Sequence, residues 1–329
     1  MKQLLSKWKQ MSTITVLALI LTACGAAEEN NDNTVNVNND NNANETVEGD
    51  FPVTVTDGVG QEVTIEETPE TIASLLPSST EIVFELGAGD RMIGVSEYCN
   101  FPEETADIQI IGAQDMDAEL ILSLSPDLLL VQEYHYQNHE DVLNEYEEAG
   151  IDVLVMGSAE SFEETYDTIH MIGEATGTSD EANQIVTSME ERLEEIREQA
   201  ETIPEEDRQT VWVEVGPSPD IFTTGQGTFM HEMLEAINAT NAAEEESGWV
   251  QFTEEEIVTL EPDVIVTTYG YYIDNPEADV LARDGWSEVP AVQNERVYDV
   301  DNDTVTRPGP RLIEGVETLA KLVYPDVFE

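Results

Sequence analysis

An internal repeat constrains the fold of this chain more than any other feature. Residues 118–131 read AELILSLSPDLLLV and residues 254–267 read EEEIVTLEPDVIVT, and the two align at an offset of 136 without a gap. Each copy predicts an amphipathic helix, a Pro-Asp turn and a buried strand. Because one such unit buries little apolar surface alone, two copies predict two related lobes with a cleft between them.

Short apolar runs alternate with helical stretches on both sides of the repeat. Such continuous runs are typical of strands buried on both faces, and their alternation with helices favours mainly parallel sheets. The predicted fold class is therefore α/β, with two Rossmann-like lobes. The runs are residues 72–76, 92–96, 128–132 and 153–156 in the first half and 211–215, 264–267 and 297–300 in the second.

A helical pattern of about 24 residues separates the two halves and ends before Pro204, which at ~1.5 Å per residue makes a rod of ~36 Å. Thr178 with Glu181 predicts a capping box at its start. We interpret it as a bridge between lobes; the alternative is a surface helix on one domain. The predicted boundaries are an N-terminal lobe at 51–178, a bridging helix at 179–203 and a C-terminal lobe at 204–329.

The N-terminus has the order of an export signal, with three lysines followed by the apolar run 14–21. Leu21-Thr22-Ala23-Cys24-Gly25 then resembles a bacterial lipobox, in which the cysteine is lipidated and becomes the new N-terminus. Residues 1–24 are therefore predicted to be a lipoprotein signal peptide, with an ordinary signal peptide as the alternative. Residues 25–50 are acidic and Asn-rich and cannot bury a core, so they are predicted to be a disordered tether. The expected location is the outer face of a cytoplasmic membrane, Gram-positive type favoured, held by the lipid alone.

The charge balance excludes whole classes of partner. The chain has 71 Asp and Glu against 12 Lys and Arg, whereas nucleic-acid binding and docking on anionic lipid both need a basic surface. We interpret this acidity as adaptation to a saline or alkaline exterior, with a merely acidic protein as the alternative. After cleavage at Cys24, Cys99 is the single remaining internal thiol, so no internal disulfide is expected.

Pro77-Ser78-Ser79 follows a predicted strand and opens a predicted helix. Backbone N–H groups and hydroxyls at such a position can hold an anionic or carbonyl group. The alternative is a plain helix N-cap.

Aromatic residues follow both repeat strands. Tyr134-His135-Tyr136 comes after run 128–132, and Tyr269 and Tyr271 come after run 264–267. Because these strands are repeat mates, both clusters should lie at equivalent lobe edges and face the cleft. Aromatic side chains there suit a large flat ligand, although a loop cluster that only stabilises the fold is the alternative.

Metal-binding and enzymatic interpretations have weaker support. His135 and His139 have the spacing of a metal pair on a helix, and His135 or a tyrosine is an alternative ligand for haem iron. Cys99 and His135 could form a nucleophilic pair, but no orienting group is identifiable. The sequence contains neither a Gly-x-Ser-x-Gly motif nor a P-loop. We therefore expect no enzyme, no metal site and no cofactor of the protein's own.

Five segments together resemble the helical-backbone class of ABC-transporter substrate-binding proteins, which captures cobalamin, ferric siderophores and haem. They are the two repeat copies, IASLLPSSTEIVFELGAGDRMIGVSEYCNFPEE from Ile72, GQGTFMHEMLEAI from Gly225 and RPGPRLIEG from Arg307. The resemblance covers about residues 51–329. It implies two lobes, bridged by one helix, that move little and hold a bulky metal chelate between them. The protein is expected to be a monomer. The chelate, cobalamin favoured and a ferric siderophore or haem as the alternative, would pass to a dimeric permease with its ATPase.

The resemblance also implies specific contact residues. Tyr98 falls where cobalamin binders place an aromatic against the corrin, and Trp249 matches a cleft tryptophan. A second ligand-contacting segment comprises Asp303, Thr304, Val305, Thr306 and Arg307. In this segment Arg307 would bind an amide, phosphate or carboxylate of the ligand; the alternative is that it only neutralises neighbouring acids. The chain departs from the pattern at Ala113 and Gln132, where some cobalamin binders have tryptophan.

Glu119 and Glu255 occupy the same place in the two repeat copies. Each lies two residues before an apolar position expected to face the core, so each should point to solvent. The resemblance places the permease-docking glutamates of cobalamin binders at these two positions. The alternative is two exposed glutamates with no special role.

Overall fold

The apolar runs of the first half form a five-stranded parallel sheet in the order β5-β4-β3-β6-β7. The computed structural model describes residues 51–328. A separate antiparallel hairpin, β1-β2, precedes this sheet. The strands of this lobe are β1 (Val53–Thr56), β2 (Glu62–Ile65), β3 (Ile72–Ser74), β4 (Met92–Val95), β5 (Gln109–Ile110), β6 (Leu128–Gln132) and β7 (Asp152–Met156).

Helices connect these parallel strands, as crossover geometry requires. One of them begins directly after β6 and contains Tyr134, His135 and Tyr136. The helices of this lobe are α1 (Pro77–Glu85), α2 (Ala118–Leu124), α3 (Glu133–Asn138), α4 (Glu140–Glu148) and α5 (Phe162–Thr176).

The second half builds a smaller parallel sheet in the order β10-β8-β12-β13, with an antiparallel pair, β9-β11, beside it. Its strands are β8 (Thr210–Glu214), β9 (Ile221–Thr224), β10 (Thr240–Asn241), β11 (Trp249–Phe252), β12 (Val264–Thr267) and β13 (Val297–Asp299). Its helices are α7 (Phe229–Ala236), α8 (Glu254–Leu260), α9 (Pro276–Leu281), α10 (Pro290–Gln293), α11 (Asn302–Thr306) and α12 (Leu312–Val323).

The long helix α6 (Ser179–Ala200) joins the lobes. Its buried face packs on α5 of the first lobe and on α7 and α12 of the second. One hydrophobic cluster therefore runs from the first sheet through this helix into the second. The two-lobed α/β fold with a bridging helix is thus confirmed, and the helix ends at Ala200, before the predicted limit.

The predicted capping box at the start of α6 is wrong. Thr178 is the N-cap residue but its side chain makes no capping hydrogen bond. The reason is the short connection from α5, which ends at Gly177 in the left-handed conformation (φ 74°). This turn brings the Thr178 hydroxyl within 2.8 Å of the Thr176 hydroxyl instead.

The two repeat copies fold alike down to single hydrogen bonds. Each helix ends at a residue in the left-handed conformation, Ser125 (φ 46°) and Glu261 (φ 48°). The turn aspartate of each copy then accepts a backbone N–H at the start of the neighbouring strand, at 2.8 Å for Asp127 and 2.9 Å for Asp263. The Pro-Asp turn therefore ties each repeat strand to its neighbour.

The predicted signal peptide, Cys24 and the tether lie outside the described residues. Within residues 51–328, no helix combines the length and the apolar character needed to cross a bilayer. The lipid anchor therefore stays a prediction from the sequence.

The exposed face of α6 carries glutamates at positions 190, 191, 194, 195 and 198. Because like charges within one fold repel and added ions screen that repulsion, we expect stability to rise from low salt to molar NaCl. Melting temperature measured across this range tests the expectation. The variant Glu191→Gln with Glu198→Gln should show a shallower rise, whereas a flat or falling curve for the parent protein would contradict the expectation.

Candidate functional site

A cleft of about 500 Å³ lies between the lobes, where strands of the first sheet end. Ligands in open α/β sheets bind beyond the carboxyl ends of parallel strands, and this cleft has that position. The first lobe contributes Leu76, Ser78, Gln132, Glu133, Tyr134, Gln137, Met156, Gly157, Ser158, Ala159 and Glu160, and the second contributes Phe229, Trp249, Thr306 and Pro308.

A larger cavity of about 1090 Å³ lies along the bridging helix. Helices form most of its wall, with Tyr166 from α5, Glu194 from α6 and Glu232 from α7. The ends of parallel strands do not contribute to it. The smaller cleft is therefore the candidate site.

Four of the predicted contact residues line the cleft: Ser78, Tyr134, Trp249 and Thr306. Trp249 is 50% exposed, and its indole lies near the carboxylate of Glu160 on the opposite lobe. Burial raises the pKa of Glu160, and the nearby indole N–H partly offsets that rise. The cleft thus has aromatic rings on both sides and a carboxylate facing the indole.

Other predicted contacts do not line the cavity. Tyr98, 64% exposed, follows β4, and Tyr271, 73% exposed, follows β12. Pro77 is half-buried at the first position of α1. Tyr136 turns to the β1-β2 hairpin, where its hydroxyl accepts a hydrogen bond from Gln61 at 3.2 Å.

The prediction that His135 contacts the ligand or its metal is wrong. Because α3 begins directly after β6, His135 turns inward and is fully buried. Its Nδ1 accepts the backbone N–H of Gln132 at 3.1 Å, and its Nε2 lies 2.8 Å from the carbonyl oxygen of Ala113, to which it donates. Burial also lowers the pKa of the ring. Both nitrogens are therefore occupied, and neither is available to iron or to a metal shared with His139.

No group of three or more His, Cys, Asp or Glu side chains within residues 51–328 is arranged to hold a metal ion. Cys99 is partly buried, and burial raises the pKa of its thiol. Its sulfur lies 3.2 Å from the Thr80 hydroxyl. A thiol with a raised pKa is a weak nucleophile, which matches a structural role.

The prediction that Tyr269 contacts the ligand in the cleft is also wrong. It is 1% exposed, and its hydroxyl donates to Glu214 at 2.7 Å. Glu214 is itself fully buried and is paired with Arg283. Desolvation and the neighbouring Glu214 raise the pKa of the phenol. This network anchors the loop that carries the exposed Tyr271.

Three more predicted contacts are buried in the lobes. Ser79 and Val305 are fully buried, and Thr304 is 8% exposed. The short helix α11 turns the last two inward and leaves Thr306 at the cleft. The structure therefore contradicts ligand contact by these three side chains.

Arg307 was expected to grip the ligand, but its guanidinium points to the first lobe. It pairs with Glu81 of α1 and with Asp303, and it donates to the side-chain oxygen of Asn100 at 3.0 Å. Asn100 in turn donates to Asp303 at 2.8 Å. Arg307 and Asp303 are thus used for contact between the lobes.

Arg311 also binds Glu81. The polar cluster between the lobes, called the interlobe cluster, comprises Glu81, Asn100, Asp303, Arg307 and Arg311. Arg311 donates to both carboxylate oxygens of Glu81, at 2.8 and 2.9 Å, and lies over the Phe101 ring at 4.0 Å. Burial opposes its charge, but the hydrogen bonds and the charge of Glu81 outweigh burial and raise the pKa of Arg311. Glu81 is only 2% exposed, so one buried carboxylate binds two arginines of the other lobe.

The sequence interpretation missed the wall formed after β7. Residues 157–160 follow that strand as the tyrosine cluster follows β6, and they form one side of the cleft. For the repeat strands we assumed that residues following a parallel strand face the site. The same assumption applied to β7 would have predicted residues 157–160. Of the two positions that depart from the cobalamin-binder pattern, Gln132 lines the cleft. Ala113 does not line it, and its carbonyl oxygen binds His135.

The chain is similar to known proteins in sequence and in fold. The sequence profile of the family described as Periplasmic binding protein matches residues 72–304. A Bacillus subtilis protein named "Uncharacterized ABC transporter substrate-binding lipoprotein YvrC" is 48% identical over 279 residues, which cover 85% of this chain and 88% of that protein. A cobalamin-binding protein of Halobacterium salinarum is 28% identical over 83% of this chain and 74% of its own.

A solved structure from Staphylococcus epidermidis, described as a possible iron-binding (periplasmic solute-binding) protein, superposes with a TM-score of 0.69. It is 32% identical and covers 78% of this chain and 100% of its own. The vitamin B12 binding protein BtuF of Vibrio cholerae superposes with a TM-score of 0.63 at 24% identity, covering 78% of this chain and 97% of its own. At 24% identity, the similarity to the Vibrio protein shows a shared fold and no more.

Replacing Glu81 tests the interlobe cluster. Glu81→Gln removes the buried carboxylate that two partly buried arginines share across the lobes, so we expect a loss of about 3–5 kcal/mol in the free energy of unfolding. The matched control is Glu85→Gln on the same helix, where the side chain is exposed, and it should change stability by less than about 0.5 kcal/mol. Denaturant unfolding measures both, and equal losses would show that the cluster does not stabilise the fold.

Proposed function

The chain belongs to the periplasmic binding protein family, and we propose that it is the extracytoplasmic substrate-binding component of an ABC importer. In this role it captures a bulky metal chelate, with cobalamin or another corrinoid favoured, and delivers it to a dimeric permease with its ATPase. The family and the named relatives are binding proteins, which confirms the interpretation that the chain is not an enzyme. The chelate is cargo rather than a resident cofactor.

The observation that carries the proposal is the cleft itself. It lies at the strand ends, and Tyr134 and Trp249 line it from opposite lobes. A flat metal chelate offers its faces to such rings. A corrinoid is larger than the 500 Å³ cavity, so part of it would extend beyond the cavity.

Two relatives bear on the choice of chelate. The Halobacterium relative is named a cobalamin-binding protein, which supports a corrinoid. The Staphylococcus structure, described as possibly iron-binding, supports a ferric siderophore or haem as the alternative. Both alternatives use the same cleft.

We further propose that the mature protein is a monomer anchored through lipid on Cys24 to the outer face of a cytoplasmic membrane, Gram-positive type favoured. The lipobox and the tether support the anchor, and so does the name of the Bacillus relative, which is a lipoprotein. The acidic surface argues against additional docking on anionic lipid.

Titration with cyanocobalamin and cobinamide tests the ligand. We expect 1:1 binding, seen as a shift in corrinoid absorbance and quenching of tryptophan fluorescence. Trp249→Ala should weaken binding about tenfold, because it removes an aromatic face from the cleft. Leu281→Ala is the control, since Leu281 is 38% exposed but belongs to α9 and does not line the cavity. Tight binding of free Zn²⁺ or Mn²⁺, with no binding of any chelate, would overturn the proposal.

Docking on the permease is proposed to use Glu119 and Glu255. Both are exposed in the first turns of α2 and α8. Glu254 accepts the Ser218 hydroxyl, and Glu256 caps its own helix. Within the described residues, Glu255 is thus the one of these three glutamates without a hydrogen-bonded side chain.

The variant Glu119→Ala with Glu255→Ala should keep ligand affinity while uptake and stimulation of the ATPase fall. Each charge-assisted contact is typically worth about 1.5–3 kcal/mol, so the double variant should lose more than either single one. Glu148→Ala with Glu245→Ala is the control, since it removes one exposed glutamate per lobe. Unchanged uptake, or collapse of ligand binding, would rule out this pair as the docking site.

A further inference from the structure

The cleft wall is negatively charged. Glu133 and Glu160 line it, and among residues 51–328 no lysine or arginine does. Glu133 opens α3 and accepts a hydrogen bond from Gln137 at 2.7 Å. Glu160 lies near the Trp249 indole across the cleft. Both carboxylates therefore border the space that a ligand would fill.

Among the described residues, the cleft wall has no cationic side chain because Arg307, the nearest arginine in sequence to the wall residues, belongs to the interlobe cluster. Thr306 and Pro308 line the cleft, but Arg307 between them pairs with Glu81. Arg311 binds the same carboxylate. The remaining bases of the described chain are elsewhere: Arg91, Arg192, Arg197, Arg208, Arg283, Arg296 and Lys321.

Such a wall discriminates between ligands by charge. A carboxylate or phenolate of the ligand would meet two glutamates and no compensating base, and like charges brought together without solvent repel strongly. An amide or amine N–H would instead donate to these carboxylates in charge-assisted hydrogen bonds. The partial burial of Glu160 makes an added donor more favourable there, since its charge is incompletely solvated.

We propose that Glu133 and Glu160 make the cleft selective for uncharged or cationic chelates that present N–H donors, and against polyanionic ones. This rests on the proposed function, because it assumes that the cleft is the ligand site. Corrinoids with side-chain amides and cationic ferric hydroxamates satisfy the rule. Haem with its propionates and ferric catecholates do not.

Two ligands with the same corrin ring isolate the effect. Cobinamide carries neutral side-chain amides, and cobyrinic acid carries carboxylates in their place. At neutral pH and low salt, we expect cobyrinic acid to bind about a hundredfold more weakly than cobinamide. Isothermal titration of the full folded protein measures both dissociation constants.

A pair of variants separates the local effect from the net charge of the chain. Glu133→Gln with Glu160→Gln should reduce the difference between the two ligands to about tenfold or less. Glu145→Gln with Glu148→Gln removes the same charge from the exposed face of α4, and it should leave the difference unchanged. Equal effects of the two variants would overturn the role of Glu133 and Glu160.

Iron chelates show whether a negative result contradicts the proposed charge selectivity or the proposal that the ligand is a corrinoid. Binding of cationic ferrioxamine with neither corrinoid would overturn the assignment and support the charge rule. Binding of haem or cobyrinic acid as tightly as cobinamide would overturn the charge rule, whichever ligand is transported.

Discussion

The buried carboxylate of Glu81 is the interaction on which the arrangement of the two lobes depends. A carboxylate that is 2% exposed needs charged partners, and both partners, Arg307 and Arg311, come from the other lobe. Moving the lobes apart would leave the Glu81 carboxylate without either of its arginine partners. The cluster therefore acts with α6, which shares its apolar core with both lobes, to hold the cleft at a defined width.

The same cluster determines the chemistry of the cleft. Thr306 and Pro308 line the cleft, but Arg307 between them does not, because its side chain binds Glu81. The charged side chains that remain at the wall are both acidic, Glu133 and Glu160, and Tyr134 and Trp249 line the same cleft. A contact that stabilises the lobe arrangement thus also selects the kind of ligand that the cleft accepts.

Buried charge has a similar role inside the second lobe. Glu214 lies at the end of β8, and it is held by Arg283 and by the hydroxyl of Tyr269. Fully satisfied buried networks of this kind make a local structure rigid. The network fixes the start of the loop after β12, and Tyr271 projects from that loop into solvent. Rigid placement of an exposed ring reduces the entropy lost when a ligand packs against it.

The sequence alone determined the two-lobed α/β fold, the bridging helix and the region of the cleft, because these follow from local periodicity and from a repeat with one turn chemistry. It also identified Tyr134 and Trp249, which line the cleft. Only the tertiary structure decided where His135, Tyr269 and Arg307 point. Each is bound by a group 22, 55 or 226 residues away in the chain, and no local pattern specifies such partners, since burial and charge pairing are settled when distant segments pack.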